Sequence, residues 1–486
     1  MTVIDNGVYS GPSTRESRAT CCAIRVSLFF SVGGWTHLQH IIRGGFSMRR
    51  VFILALLVVA AVASWAGAQD EEGVERIITI TTAAMQGPDY DVIYDAMRAK
   101  YPNLRIRTIG LNSADGSTIP QDALIGAGIY PNVMGGFTGR TCKYMIQSEE
   151  GWTVQDLRPL MSAADLRDFL DLEPWTVDGK ILGLPAVIPA QAMILNLELL
   201  DAAGWEYPGD PWTVAQFGEM CEAVKKVGKW GTIGFAKNAS ADYLYMQWVG
   251  AFGAQLFAEG DYTKTVIDSP EGLAVFEFWD SWIDNGWAPP ESVDLWDDAA
   301  IEYFQKGEVA AMGFRNDWTD GYMNSAITNQ WIDEPFRTMM VPFPVAPGVK
   351  GAPSVGAGST YLAYESGDPE VDAIAAEILL LTTGSARQST QVTNTGQFAS
   401  RSSAAGTPTF AKAHLPELIP QYLKDWNVVK DIITEFGMLD VGYTLPMYYP
   451  IRAAMFPRLQ GMWTGTETAA EALATYAAEV NELLSQ

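Results

Sequence analysis

Histidine is nearly absent from this 486-residue chain. There are three, and two of them, His37 and His40, stand near the N-terminus. A Ser-His-Asp triad or a multi-histidine zinc site would have to rest on His414 alone. The setting of that residue, AKAHLPEL, reads as a surface or helix-end position. Cysteine is equally scarce at four, with Cys21-Cys22 adjacent and Cys142 and Cys221 the two after residue 69, which could pair in an oxidising compartment. Basic charge is in deficit. Of 32 basic and 57 acidic residues only six and two precede residue 69, which leaves 26 against 55, a net −29. A field of that sign repels nucleic acid and anionic membranes, and its plain reading is solubility. No G-x-x-x-x-G-K-[ST] loop occurs, and no G-x-G-x-x-G follows a strand; Gly356-Ala357-Gly358 lacks the rest of either pattern. Asp294, Asp297 and Asp298 lack EF-hand spacing and read as a solvated loop. No cofactor and no metal site is expected. Acids are abundant enough that a glycosidase-type carboxylate pair stays open.

Long apolar runs are confined to one place. Met48-Arg49-Arg50 is a basic lead, Val51 to Ala63 is apolar throughout, and Ala66-Gly67-Ala68 matches an A-x-A cleavage site before polar Gln69-Asp70-Glu71. Residues 48–68 are therefore expected to be a cleavable signal peptide. A single anchor is the competing reading, but the uncharged run is shorter than the roughly 20 residues a span needs. No cysteine stands at the cleavage point, so no lipid anchor is expected and the mature protein should diffuse in the periplasm. An export signal works when N-terminal. That places the natural start at Met48 and makes 1–47 an upstream extension without a folded role, an extended leader being the alternative.

After residue 69 strands and helices alternate, which points to α/β layers. Ile77–Ile80 and Leu104–Arg107 read as strands around a helix from Tyr90 to Lys100 closed by Pro102, a right-handed crossover on a parallel sheet. Gly126 to Gly136 ends in a Gly-rich strand exit. Leu273–Ile283 and Pro369–Leu381 read as helices, as does Thr466–Leu484 with a Thr468/Glu471 capping box. Trp279 and Trp282, spaced i, i+3 beside Phe276 and Phe278, read as packing.

The segment Asp178–Phe217 is the most specific. Asp178-Gly179 is a turn, and Ile181–Ile188 is an apolar run broken by Gly183 and Pro185. Met193–Leu195 is a short buried strand, and Leu197–Ala203 a helix stopped by Gly204. Thr213 opens the next helix with Gln216 three residues on. This order of DGK-x-x-G-x-P, then Asn196, an AG turn and a P-x-T start resembles the family 1 extracellular solute-binding proteins of carbohydrate ABC importers; Val214 stands where that family usually has Trp. Phe304–Met312 resembles its F-x-x-G-x-x-A-M block, and Ser385–Gln388 and the tail helix follow in order. The resemblance covers about residues 75–484.

The resemblance implies an α/β, two-lobe periplasmic binding protein fold (type II), with discontinuous lobes joined by a multi-strand hinge. Lobe one is expected at 69–186 and 312–362 and lobe two at 187–311 and 363–486, with crossovers near Pro185, Ala311 and Leu362. Cys142 and Cys221 then fall in different lobes, where a bridge would hinder hinge motion, so two buried thiols are expected. Ligand-binding candidates carried over residue by residue lie at strand ends. They are Met85, Gln86, Phe137, Arg140, Gln191, Asp242, Tyr243, Trp248, Asp317, Trp318, Ser359, Thr360, Tyr448 and Tyr449, with Arg401 as a further possibility. Fourteen tryptophans remain after Trp35 and Trp65 are removed. Aromatic rings suit the C–H faces of a sugar, and amides, carboxylates and backbone groups suit its hydroxyls. Adjacent tyrosines ligate iron in some periplasmic proteins, but Tyr448-Tyr449 has no histidine near it in sequence, and stacking or packing is the better reading. The function implied is capture of a small-molecule carbohydrate for the membrane permease subunits of an importer, by a monomer that is not an enzyme and binds no nucleic acid. Two rivals stay open: the same fold around a polyol, polyamine, peptide or metal, and a secreted hydrolase.

Overall fold

Apolar strands without enough partners in their own neighbourhood organise this chain into two separate cores. The computed structural model describes residues 76–486 apart from 111–118, 138–140, 147–152, 189, 238–242, 316–318, 355–357 and 443; the expected leader and upstream extension lie outside that set. The first sheet has the order Leu104–Ile109, Ile78–Ala83, Val133–Phe137, Ser359–Glu365, Thr153–Val154, and Leu184–Pro185 also pairs with Ser359–Glu365. Ile78–Ala83 runs parallel to both neighbours, with Ile78 opposite Leu104 and Thr82 opposite Val133. The crossover helix Pro88–Lys100 has proline in its first turn, Asp89 and Asp91 at its start and Arg98 and Lys100 at its end, each on the side that suits the helix dipole. It buries Ile93, Tyr94 and Met97 against Ile78 and Ile80. Helix Pro369–Thr382 adds Ile374, Ile378 and Leu379 to the same core.

The second sheet is antiparallel, with Gln191–Asn196 flanked by Ala311–Arg315 and Thr338–Val341. All six residues of its central strand are buried, the signature of a strand covered on both faces. Around it packs an aromatic mass. Trp248 lies 4.7 Å from Phe278, 5.1 Å from Phe217 and 5.1 Å from Phe343, ring centre to ring centre. The indoles of Trp212 and Trp463 donate to the carbonyls of Pro342 and Trp279 at 2.7 and 2.8 Å. Trp279 and Trp282 sit inside this core as packing residues. The two expected capping boxes both form, Thr213 with Gln216 and Thr468 with Glu471. Cys142 and Cys221 are buried free thiols in different cores, and burial pushes the Cys142 thiol up to about 12.

The partition of residues differs from expectation in two places. Ala311–Arg315 and Thr338–Val341 belong to the second sheet, and Met312, Met323, Met340 and Val341 to its core, although 312–362 was expected in lobe one. The reason is strand pairing, since Gln191–Asn196 needs a partner on each edge and these segments supply them. Helix Pro369–Thr382, expected in lobe two, instead covers the first sheet. The chain thus passes between the cores after Leu184–Pro185, between Thr338–Val341 and Ser359–Glu365, and near 396–418, and Ala311 is no crossover. Val187–Ile188 and Phe398–Ala399 pair antiparallel, so two of the three passages form a ribbon.

One buried carboxylate stands out. Asp425, on helix Ile419–Phe436, accepts from the Met340 N–H at 3.0 Å and from Gln421 at 2.8 Å, while its Oδ2 has no partner. Burial raises it to about 6. Below pH 4 it is protonated in both folded and unfolded chains. As pH rises through 6 the folded chain must hold a bare carboxylate, so stability is lost. We expect Asp425→Asn to gain about 2–3 kcal/mol over wild type at pH 7.5 and little at pH 4, read by urea denaturation at the two pH values; an equal difference at both would contradict the assignment.

Candidate functional site

Parallel strands of an open sheet present their carboxyl ends, and the loops after them, to ligands. In the first sheet the strand Ile78–Ala83 runs out through Ala84, at φ 58°, and Gly87, at φ 104°, into helix Pro88–Lys100. Between them Met85 is fully buried and Gln86 exposed. The Gln86 amide leans over Gly110, just past the neighbouring strand, where a Cβ would stand 3.0 Å from its Oε1. The loop is fixed from beneath: the Tyr94 hydroxyl donates to the Met85 carbonyl at 2.8 Å and lies 3.0 Å from the Thr82 hydroxyl.

Next to this loop lies a tyrosine pair that the sequence did not single out. The Tyr90 and Tyr361 hydroxyls are 2.6 Å apart, and the Arg387 guanidinium sits 4.7 Å above the Tyr90 ring. Burial, then the neighbouring Tyr361, raise the Tyr90 phenol far above its ordinary range, so it is a neutral hydrogen-bonding group. Any side chain at Gly135 would overlap the Tyr361 ring. The sequence signal that was available is the aromatic residue in the first turn of the helix after the first strand.

The crossing segments meet beside this edge. The Ala186 N–H donates to the Ser359 carbonyl at 3.0 Å, and the Ser400 hydroxyl donates to the Pro185 carbonyl at 2.8 Å. Gln388 holds the third passage: its Nε2 donates to the Thr383 carbonyl at 2.9 Å, and its Oε1 accepts from the backbone N–H of Ser400 at 2.8 Å and of Arg401 at 3.2 Å. On the second core's side, the Ser354 hydroxyl lies 2.8 Å from the Gln191 nitrogen, whose N–H it accepts.

The expected site residues therefore divide. Met85 and Gln86 follow the first strand, Ser359 and Thr360 open theirs beside the first crossing segment, and Gln191 opens the central strand of the second sheet. Phe137 closes its strand with Ser359 opposite, and Tyr243 opens helix Tyr243–Ala251; their side chains lie outside the described residues, as do Arg140, Asp242, Asp317 and Trp318 entirely. Thr360 is buried and accepts the Trp175 indole N–H at 2.9 Å. Trp248 and Tyr448 are each 1% exposed inside the second core. Arg452 lies over the rings of Tyr448 and half-buried Tyr449 at 5.0 and 5.9 Å. Arg401 is buried as well. It reaches Asp165 and Asp168 at 3.2 Å, donates to the Thr383 carbonyl and stacks on Phe169, which ties the third passage to the first core. His414 is exposed and paired with Asp320 at 2.7 Å. Among the described residues no cluster of His, Cys, Asp or Glu has the makings of a metal site.

Gln388 gives this arrangement a test. Gln388→Met keeps the volume but strands two buried N–H groups and a carbonyl, and should cost about 2–4 kcal/mol in urea denaturation. A change below about 0.5 kcal/mol would mean that the passage is held by strand pairing alone.

The same architecture occurs in known proteins. The cyclic α-maltosyl-1,6-maltose binding protein of Arthrobacter globiformis superposes with a TM-score of 0.64 at 18% identity, covering 84% of this chain and 99% of that one. A solute-binding protein of an ABC transporter from Thermotoga lettingae, bound with α-D-tagatose, gives 0.64 at 19% identity, covering 84% and 100%. These likenesses establish the two-lobe α/β fold of the periplasmic solute-binding proteins. A binding protein of Brucella abortus (strain 2308) is 23% identical over 270 residues, 54% of this chain and 61% of its own length. The family model described as bacterial extracellular solute-binding protein matches residues 146–417, more than half of the chain, and the chain belongs to that family.

Proposed function

We propose that this protein is the periplasmic substrate-binding component of an ABC importer that captures a sugar or oligosaccharide between its two lobes and delivers it to the permease. The observation that carries this reading is two separately packed cores joined by three passages, with neutral hydrogen-bonding groups at the strand ends of the first sheet (Gln86, Tyr90) and beside the crossing segments (Ser359, Gln191). Three passages allow two rigid bodies to rotate without unfolding either. Ligand held by one lobe and then touched by the other favours the closed form by its contacts with the second. The sugars bound by the structural neighbours support the substrate class. The run 48–68 serves as the export leader, and binding without turnover is the activity.

A micromolar sugar corresponds to about −8 kcal/mol, within reach of a few hydrogen bonds and one stacked ring. The test is thermal shift of residues 69–486 against monosaccharides such as tagatose, linear and cyclic maltosaccharides, polyols, polyamines, peptides and Fe(III). A ligand at 100-fold its Kd adds about 2.7 kcal/mol, a shift of several degrees. A saturable shift with one sugar class and no released product is expected. A shift with a polyamine, peptide or metal alone would transfer the reading to that ligand, and product release from a glycoside would make the protein a hydrolase.

A further inference from the structure

Side-chain contacts that bridge the two lobes are the ones a lobe rotation must make or break. One of them is an ion pair. The Lys412 Nζ lies 3.2 Å from the Asp89 Oδ1, and the two side chains are 59% and 47% exposed, so the pair can part without uncovering any core. Asp89 stands in the first turn of helix Pro88–Lys100, directly behind the Met85–Gly87 loop at the exit of the first strand. Lys412 stands late in the third passage, in a turn that is fixed to the second lobe.

Asp320 does the fixing. It lies in the first turn of helix Thr319–Thr328, whose Met323 belongs to the second core. Its Oδ1 accepts from the Leu415 N–H at 2.9 Å and from the Tyr422 hydroxyl at 3.0 Å. Its Oδ2 accepts from the His414 N–H at 2.7 Å and lies 2.7 Å from the His414 Nδ1. Upstream, Phe410 has φ 50°, a backbone conformation that a large side chain rarely adopts. The Ala413 N–H holds it there by donating to its carbonyl at 2.9 Å, and its ring packs 5.5 Å from that of Tyr422. Tyr422 rides on helix Ile419–Phe436, which covers the strand Thr338–Val341 of the second sheet. Lys412 is thus projected from a stiff turn. The two anchors are placed alike. Asp89 follows the exit of the first strand, and Asp320 follows the strand Ala311–Arg315, whose last residue pairs with Gln191 just past the first passage. Each anchor therefore stands behind a strand end on the side of its lobe that meets the crossing segments.

We infer that the turn Phe410–Leu415 is a clasp between the lobes, with a fixed end at Asp320 and a releasable end at the Lys412–Asp89 pair, and that it favours the closed arrangement. This rests on the reading that the lobes close on a ligand and adds what holds them closed. The ends differ in strength. Asp320 is engaged by three residues and little exposed, whereas Lys412 and Asp89 meet in water through a single pair. Opening the lobes at this edge carries Asp89 away from Lys412, and both charges return to solvent at little cost. An exposed pair of this kind adds little to folding stability. It is still enough to bias two lobe arrangements that lie close in free energy, because it exists in one of them only.

The experiment compares wild type with Lys412→Met, Asp89→Asn and the double variant, in residues 69–486, which hold both cores. The sugar that gives the largest shift in the thermal screen is titrated calorimetrically at low and high salt, and the ligand-free proteins are measured by small-angle scattering at low salt. Each single variant is expected to lose about two- to fivefold in affinity at low salt. The double variant should lose no more than either single one, because the two side chains act as one pair. At about 500 mM salt the difference from wild type should vanish. Lys412→Met should leave the ligand-free Tm unchanged and give a larger radius of gyration than wild type. Unchanged affinity in both single variants overturns the clasp. So do losses that add in the double variant, which mean that the residues act separately, and so does a gain in affinity, which means that the pair holds the lobes apart. If wild type binds no sugar, the sugar-binding reading fails while the clasp is still judged by scattering, where equal radii of gyration overturn it.

Discussion

A chain that passes three times between two packed cores must satisfy its backbone polar groups where neither sheet can supply a full ladder. The structure meets this constraint with side chains. Gln388 spans the Thr383 carbonyl and the Ser400 and Arg401 amides, Ser400 closes on Pro185, and Ser359 accepts from Ala186. The paired ribbon of Val187–Ile188 with Phe398–Ala399 adds the few strand bonds available. Arg401, buried and charge-paired to Asp165 and Asp168, anchors the third passage to the first lobe. A buried charge of this kind is retained only with its partners, so bending on the third passage should fall outside Arg401 and toward the second lobe. Rotation of the lobes would then concentrate in residues on the second-lobe side, around Ser354 and Gln191.

The two cores are built differently. The second is dense with interlocking rings, Trp248 and Phe278 at its centre, and every residue of its central strand is buried. Such packing tolerates little volume change, so this lobe can move as a body. The first lobe presents its strand ends through a loop held from beneath by Tyr94 and bordered by the Tyr90–Tyr361 pair. The Tyr90 phenol, raised far above its ordinary range by burial, stays neutral at any physiological pH, so it keeps its hydrogen-bonding character while the rest of the surface carries a large acid excess.

Local chemistry was legible in the sequence; long-range pairing was not. The capping boxes at Thr213 and Thr468, the stop at Gly204 and the buried packing of Trp279 and Trp282 all follow from residues within a turn or two of each other, and all are present. The block Phe304–Met312 was legible by its motif, but not that Ala311–Arg315 pairs with Gln191–Asn196. An apolar run carries its burial in its composition and its pairing only in the three-dimensional structure. The same limit applies to Pro369–Thr382, whose apolar residues say that it covers a sheet and not which one. Among the candidate site residues, Gln86 follows a recognisable strand exit and Gln191 the first crossing segment. Trp248 is a binding candidate by resemblance, yet its i, i+3 relation to Tyr245 within a helix points to the core it occupies. The pairing of Tyr90 is invisible in local sequence because its partner, Tyr361, stands 271 residues away.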